Sequence, residues 1–395
     1  MFRISIIGIL LMFVVGRAVA GEGMWIPILL EKYNIEEMRS KGFQLTAEDI
    51  FSINQSSMKD AVMVFGGGCT GSMISAEGLL ITNHHCGYSV IQSHSSVTHD
   101  YLKDGFWAYS KEEELVNPNL QVRILKRMED VTSRVLDGVS DEMARTHRAN
   151  LIKRNTDKIL MEVTEGTHYT AMVEPFYHGN QYFLFVNEVF RDVRLVGAPP
   201  SSIGKYGGDT DNWMWPRHSG DFALFRVYAD TNNMPADYSP YNVPYQPKWH
   251  FPISTAGVKE GDFTMVFGYP GSTSQYVPSF HLQMLTETVY PALIDLRTAK
   301  LNIMNHYMDN DAMVRIQYAS KNASLSNTWK RWKGEIRGLG ILDAVAVKQL
   351  FEADFTRWVE DNPERVRKYG NIINSFGHTY ESYIDYRLSR DFFME

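Results

Sequence analysis

Gly66-Gly67-Gly68-Cys69-Thr70-Gly71-Ser72-Met73-Ile74-Ser75-Ala76-Glu77-Gly78-Leu79-Leu80-Ile81-Thr82-Asn83-His84-His85-Cys86 is the stretch on which the reading of the fold turns. Small and glycine residues break it into a strand ending near Ser75, the turn Ala76-Glu77-Gly78 and a strand Leu79–Asn83, which together make a hairpin. His85 stands at the end of that hairpin, beside Cys86. The chain holds only two cysteines, Cys69 and Cys86, and they flank the hairpin, so a single disulfide can staple the histidine's strand to its neighbour. A histidine held this way is placed to act as a general base. It directs the search to an aspartate and a serine downstream.

Working outward, the β pattern runs from about Ala61 to Tyr88, with Ala-Val-Met-Val-Phe ahead of the glycine break. A second β region spans Ala171 to Tyr228, with short strands around Tyr182–Phe185 and Arg191–Val196 and a loop at Ala198-Pro199-Pro200. A third includes Phe263–Gly268, closed by the turn Tyr269-Pro270-Gly271. Between the first two, Asp130–Glu165 is charged and carries Leu151, Ile152, Ile159, Leu160 and Val163 at helical spacing, which predicts a helical insertion near 130–165. After Pro278 the character becomes helical. Ile294, Leu301, Met304 and Met308 make one stripe, and Val347, Phe351, Phe355 and Trp358 a second; both read as core. The expectation is a β-plus-α chain: a β-barrel over 21–278 with the helical insertion, then a helical domain over 279–395.

A chain of 395 residues, 44% apolar and 13% aromatic, can bury a large core and divide into more than one domain. Its 46 acidic and 39 basic residues leave a net charge of −7, with no basic stripe of the kind nucleic acid demands. Arg3, an apolar run from Ile4 to Val15 and Ala18-Val19-Ala20 read as a signal peptide over 1–20. The run is about 12 residues, short of the roughly 18 to 20 of a membrane span, so no span is expected once the signal is cleaved. Export to the periplasm or cell surface would let a Cys69–Cys86 disulfide persist.

Asp221 is the candidate acid. It opens Asp221-Phe222-Ala223-Leu224-Phe225-Arg226-Val227, a strand with one carboxylate at the mouth of an apolar run, where an unpaired charge is costly. The serine is harder to place, because a nucleophile of this chemistry sits among glycines whose amides stabilise the oxyanion. Ser272 in Tyr269-Pro270-Gly271-Ser272-Thr273 and Ser219 in His218-Ser219-Gly220 lack that setting, so turn and capping roles suit them better. A metal site from His84, His85, Cys86, His94 and His99 is disfavoured, since neighbours on a strand point to opposite faces and no Cys-x-x-Cys or His-Glu-x-x-His pattern is present. His84 is then expected to be a structural histidine, hydrogen-bonded on the face away from the cleft.

The sequence resembles the bacterial dipeptidyl peptidase 7 and dipeptidyl peptidase 11 family of exopeptidases, serine peptidase family 46. The resemblance is carried by Glu22–Trp25, Asn54-Gln55-Ser56-Ser57-Met58-Lys59-Asp60-Ala61-Val62, Phe65–Gly71, Thr82–Tyr88, Asp100-Tyr101-Leu102, Gly105–Ala108 and Gly207–His218. It implies a chymotrypsin-like double β-barrel capped by a helical domain, releasing dipeptides from the N-terminus of peptides without metal or other cofactor. It places the base on His85 and the acid on Asp221. It gives the substrate's free amino group to Asn212, with Trp213 beside it, and Asn327. It further implies a homodimer at full length, and a nucleophilic serine in a second barrel beyond Glu395, so that the 395 residues form an N-terminal part and release no dipeptide alone. The alternative reading is a non-catalytic peptide-binding paralogue.

Overall fold

Val62–Phe65, all four residues of it buried, is the first strand (β1) of an antiparallel sheet. The computed structural model describes residues 24–395, so the expected signal segment at 1–20 lies outside the described residues. The remaining strands are β2 (Cys69–Met73), β3 (Leu79–Thr82), β4 (Phe106–Trp107), β5 (Leu115–Val116), β6 (Val122–Asp130), β7 (Thr170–Phe176), β8 (Gln181–Phe190), β9 (Asp192–Ala198), β10 (Ala223–Ala229) and β11 (Val243–Pro244). They are ordered β4-β9-β10-β3-β2-β1-β6-β8-β7, with β5 on β9 and β11 on β10.

The hairpin forms as its turn chemistry dictates. Ser72 faces Ile81 and Met73 faces Leu80 across β2 and β3, and the Ser75 hydroxyl accepts from the amides of Glu77 and Leu79. Gly78 has φ +68°, and a Cβ there would lie 2.6 Å from the Val227 carbonyl, so only glycine fits. Leu80 and Thr82 turn inward on β3, and the Thr82 hydroxyl donates to the Thr70 carbonyl at 2.8 Å. Met63, Phe65, Met73, Leu80, Ile91 and Phe225 meet in the main core, with the rings of Phe65 and Phe225 4.7 Å apart. Each large apolar side chain buried here contributes about 1.5–3 kcal/mol.

Non-local pairing then decides the site. β10 lies beside β3 with Ala223 opposite Thr82 and Leu224 opposite Ile81. Continued by two residues, that register sets Asp221 against the His84–His85 step, although 136 residues separate Asp221 from His85.

Three expectations are corrected. His85 does not end a strand: β3 stops at Thr82, Asn83 stands at the N-cap position, and His84–Ser93 is a helix, the base helix. Phe263–Gly268 forms no strand. Phe263 and Phe267 instead pack on a cluster of Leu30, Ile35, Met38, Phe43 and Ile50, while Val266 is fully exposed; where the segment nears β2, the Tyr269 amide donates to the Thr70 hydroxyl rather than to a backbone ladder. The stripe Val347, Phe351, Phe355, Trp358 falls on helix Ala344–Glu360 as spaced, yet Val347, Phe351 and Trp358 are exposed and only Phe355 is half-buried.

The other helical expectations correspond to real elements. Thr132–Val135 and Arg145–Thr164 lie between β6 and β7, with Val135 and Ile159 packed on Tyr182 and Leu184 of β8. Beyond Pro278 come the long helices Tyr290–Asn310, Ala312–Ile341 and Ile372–Met394. Among the described residues no helix is long and apolar enough to cross a membrane.

Cys69 and Cys86 are joined, so the staple runs from the start of β2 to the base helix rather than to the second strand of the hairpin. Closing a loop of 17 residues restricts the unfolded chain, a stabilisation of about 3 kcal/mol in the chain-entropy account. A Cys69→Ser, Cys86→Ser double variant is expected to unfold at clearly lower urea than the oxidised protein. Coincident urea curves would mean that the helix is held by its packing alone.

Candidate active site

The base helix packs on β10 through Gly87, where a Cβ would stand 3.1 Å from the Phe225 ring and 3.4 Å from the Ala223 Cβ. This close approach brings the helix's first turn to the start of β10. The Asp221 carboxylate meets it twice: Oδ1 accepts the His85 backbone N–H at 3.0 Å, and Oδ2 lies 2.8 Å from His85 Nδ1. One carboxylate therefore caps the base helix and orients the imidazole, leaving Nε2 as the ring nitrogen with no hydrogen bond among the described residues. The His85 side chain is 70% exposed and that of Asp221 28%. The imidazole is open to an incoming group while its partner is largely withdrawn. Burial opposes ionisation of Asp221, but hydrogen bonds from the His85 ring and amide, the His85 charge and the Asn83 amide outweigh it and hold the carboxyl below its ordinary range.

His84 takes a different place. It is buried beneath the site, its ring 5.6 Å edge-on from Tyr88 and against Gly204, where a Cβ would come within 2.4 Å of it. Burial pushes its imidazole below the ordinary histidine range, keeping it neutral near pH 7. Since both histidines lie on one helix, about 100° and not 180° separates them, and it is packing on Gly204 rather than strand alternation that parts their roles.

The metal-type residues are otherwise engaged. Cys86 is spent in the disulfide, His94 bonds Asn117 at 2.7 Å and His99 meets the Thr98 hydroxyl. The ligand atoms of Cys69, His85 and Cys86 do cluster, but both sulfurs are already bonded to one another. Ser219 donates to the Tyr206 carbonyl and Ser272 lies on an exposed loop, and neither hydrogen-bonds His85.

A second group of candidates converges where the segment after β9 meets helix Ala312–Ile341. Asn327 Oδ1 accepts from Asn212 Nδ2 and from Trp213 Nε1, each at 2.9 Å. Trp213 holds φ +61°, an unusual conformation for a bulky residue, costing on the order of 1–3 kcal/mol. Its carbonyl sits against Gly334, where a Cβ would lie 3.2 Å away, and Lys330 donates to the Thr210 carbonyl. Two donors use both lone pairs of Asn327 Oδ1, whereas Asn212 Oδ1 takes part in no hydrogen bond among the described residues. The ring of Trp213, held on the same Asn327 oxygen, is exposed.

A carboxylate-oriented histidine on a sheet-anchored helix is an arrangement able to take a proton from an attacking group. Residues 20–395 match the peptidase S46 family, and the chain belongs to that family. It is 49% identical over 386 residues to an Asp/Glu-specific dipeptidyl-peptidase of Flavobacterium psychrophilum, covering 98% of this chain and 54% of that protein. It is 44% identical over 362 residues to dipeptidyl-peptidase 7 of Capnocytophaga gingivalis, covering 92% and 50%. The structure is similar to that of Porphyromonas endodontalis DPP11 in complex with the dipeptide Arg-Glu, with a TM-score of 0.86 and 41% identity over 93% of this chain and 53% of that one. The chain thus spans about half the length of the relatives it matches.

Asn83 is the residue the sequence reading passed over. Its signal was there to find, since asparagine just before a helix is a preferred cap.

Proposed function

We propose that this chain supplies the base, the acid and the amino-terminus recess of a serine-type dipeptidyl peptidase, exported to the periplasm or cell surface and dimeric at full length. The observation that carries the reading is the pair of hydrogen bonds from His85 to Asp221, found in a member of the peptidase S46 family. His85 takes the proton of a serine hydroxyl and returns it to the leaving amine, while Asp221 holds the ring with Nδ1 protonated. The nucleophile lies outside these 395 residues, in keeping with the relatives' greater length and the lack of a serine bonded to His85 among the described residues. The 395-residue chain alone is then inactive.

In the same reading, Asn212, Trp213 and Asn327 receive the substrate's α-ammonium. Asn327 clamps the other two, and Asn212 Oδ1, free among the described residues, is the acceptor, a neutral oxygen that binds an ammonium without fixing a second charge. Relatives named as dipeptidyl peptidases favour catalysis over the peptide-binding alternative.

The test is mass spectrometry of the full-length gene product incubated with peptides bearing a free or an acetylated N-terminus. Dipeptides are expected from the free peptides only. Release from acetylated peptides, or from neither, overturns the proposal.

A further inference from the structure

Asn83 occupies the N-cap of the base helix with extended backbone, φ −72° and ψ 146°, the place where an asparagine side chain ordinarily bonds the helix's own amides. It does not do so here. Its Nδ2 reaches across to the start of β10 and lies 3.2 Å from both the carbonyl oxygen and the carboxylate Oδ2 of Asp221. The capping duty passes to Asp221 itself, whose Oδ1 takes the His85 amide. The two residues have exchanged tasks: the acid of a neighbouring strand caps the helix, and the residue at the cap holds the acid.

We propose that Asn83 is a positioning residue of the catalytic site, fixing the Asp221 carboxylate in the one orientation that meets both the amide and the ring of His85. The side-chain amide bonds the same oxygen, Oδ2, that faces His85 Nδ1, and anchors the Asp221 backbone as well. A carboxylate free to turn about its terminal torsion would trade its two oxygens and lose one of the His85 contacts; the Asn83 bridge stops that rotation. An amide nitrogen has only donors to offer a carboxylate, so it stabilises the charged form without competing for the imidazole proton. Asn83→Ser is the informative change, since serine is as good a cap as asparagine but too short to reach Oδ2. For its kinetic consequence the proposal rests on the peptidase reading; for its structural one it does not.

The experiment has two arms. In the 395-residue chain with Asp labelled at 13Cγ, and the Asp221 resonance assigned by its loss in Asp221→Asn, the Asp221 titration midpoint is expected to rise in Asn83→Ser while the urea unfolding midpoint stays at the wild-type value. Asn83→Asp, the same size but charged, raises the Asp221 midpoint further by like-charge repulsion. In the full-length enzyme Asn83→Ser is expected to lower kcat about tenfold with KM unchanged, the loss of one hydrogen bond to a charged group. An Asp221 titration unmoved in both variants overturns the proposal, as does an unchanged kcat. If the full-length protein releases no dipeptide at all, the peptidase reading fails and the Asp221 titration still decides the role of Asn83.

Discussion

Replacing His85 by alanine in the full-length enzyme is expected to lower kcat by roughly 10⁴- to 10⁶-fold, with little change in KM. The side chain makes one bond inward, to Asp221, and is otherwise exposed, so the core loses nothing and the protein should unfold at nearly the same urea concentration. Catalysis and stability are thereby separated. Measured dipeptide release within tenfold of wild type would show that the base lies elsewhere, and a protein that fails to fold would show that the imidazole carries structure as well.

Asp221→Ala is expected to show both effects together. Loss of the ring's orienter should cost about 10⁴-fold in kcat. Loss of the cap on the His85 amide should cost a further 1–2 kcal/mol of stability, more than a change at an exposed strand start ordinarily brings. The pH dependence has a definite sign. The Asp221 carboxyl titrates below its unfolded value, so its stabilising contribution is present above the unfolded carboxylate range and is lost as pH falls through the folded pKa. Wild type and Asp221→Ala should therefore differ in unfolding midpoint at pH 7 and converge in strong acid. Equal midpoints at pH 7 would refute the capping role.

Much of this was legible in the chain, and the parts that were not share a cause. The Ser75–Gly78 turn, the apolar run Val62–Phe65 and the helices at Arg145–Thr164 and beyond Pro278 all rest on local chemistry, which a sequence displays directly. Asn83-His84-His85 misled because a strand giving way to a helix within one residue leaves no periodicity to read, so the two histidines seemed to alternate. Phe263–Gly268 and Val347–Trp358 misled for another reason. Their spacing records which residues share a face, and a face becomes core or ladder only as far as another element covers it: Phe263 and Phe267 meet the cluster around Phe43 and Phe355 meets Tyr369, while Val266, Val347 and Phe351 stay exposed. Asp221 could be named from its place at the mouth of an apolar strand and from the family resemblance, but its two-point contact with the amide and ring of His85 could not, since that depends on β10 choosing β3 as its neighbour.

That choice of neighbour sets what the gene can change at little cost. The stretch between His85 and Asp221, which lie 136 positions apart, includes two helices of the insertion and most of the sheet, and lengthening a surface connection within it is entropically cheap. A single-residue deletion between Asp221 and Ala223 is another matter. It would shift the carboxylate by one position along β10 and turn it to the opposite face, erasing the acid while leaving its letter in the sequence. In this stretch reading-frame length matters more than residue identity, and small insertions or deletions are the lesions most damaging to the site.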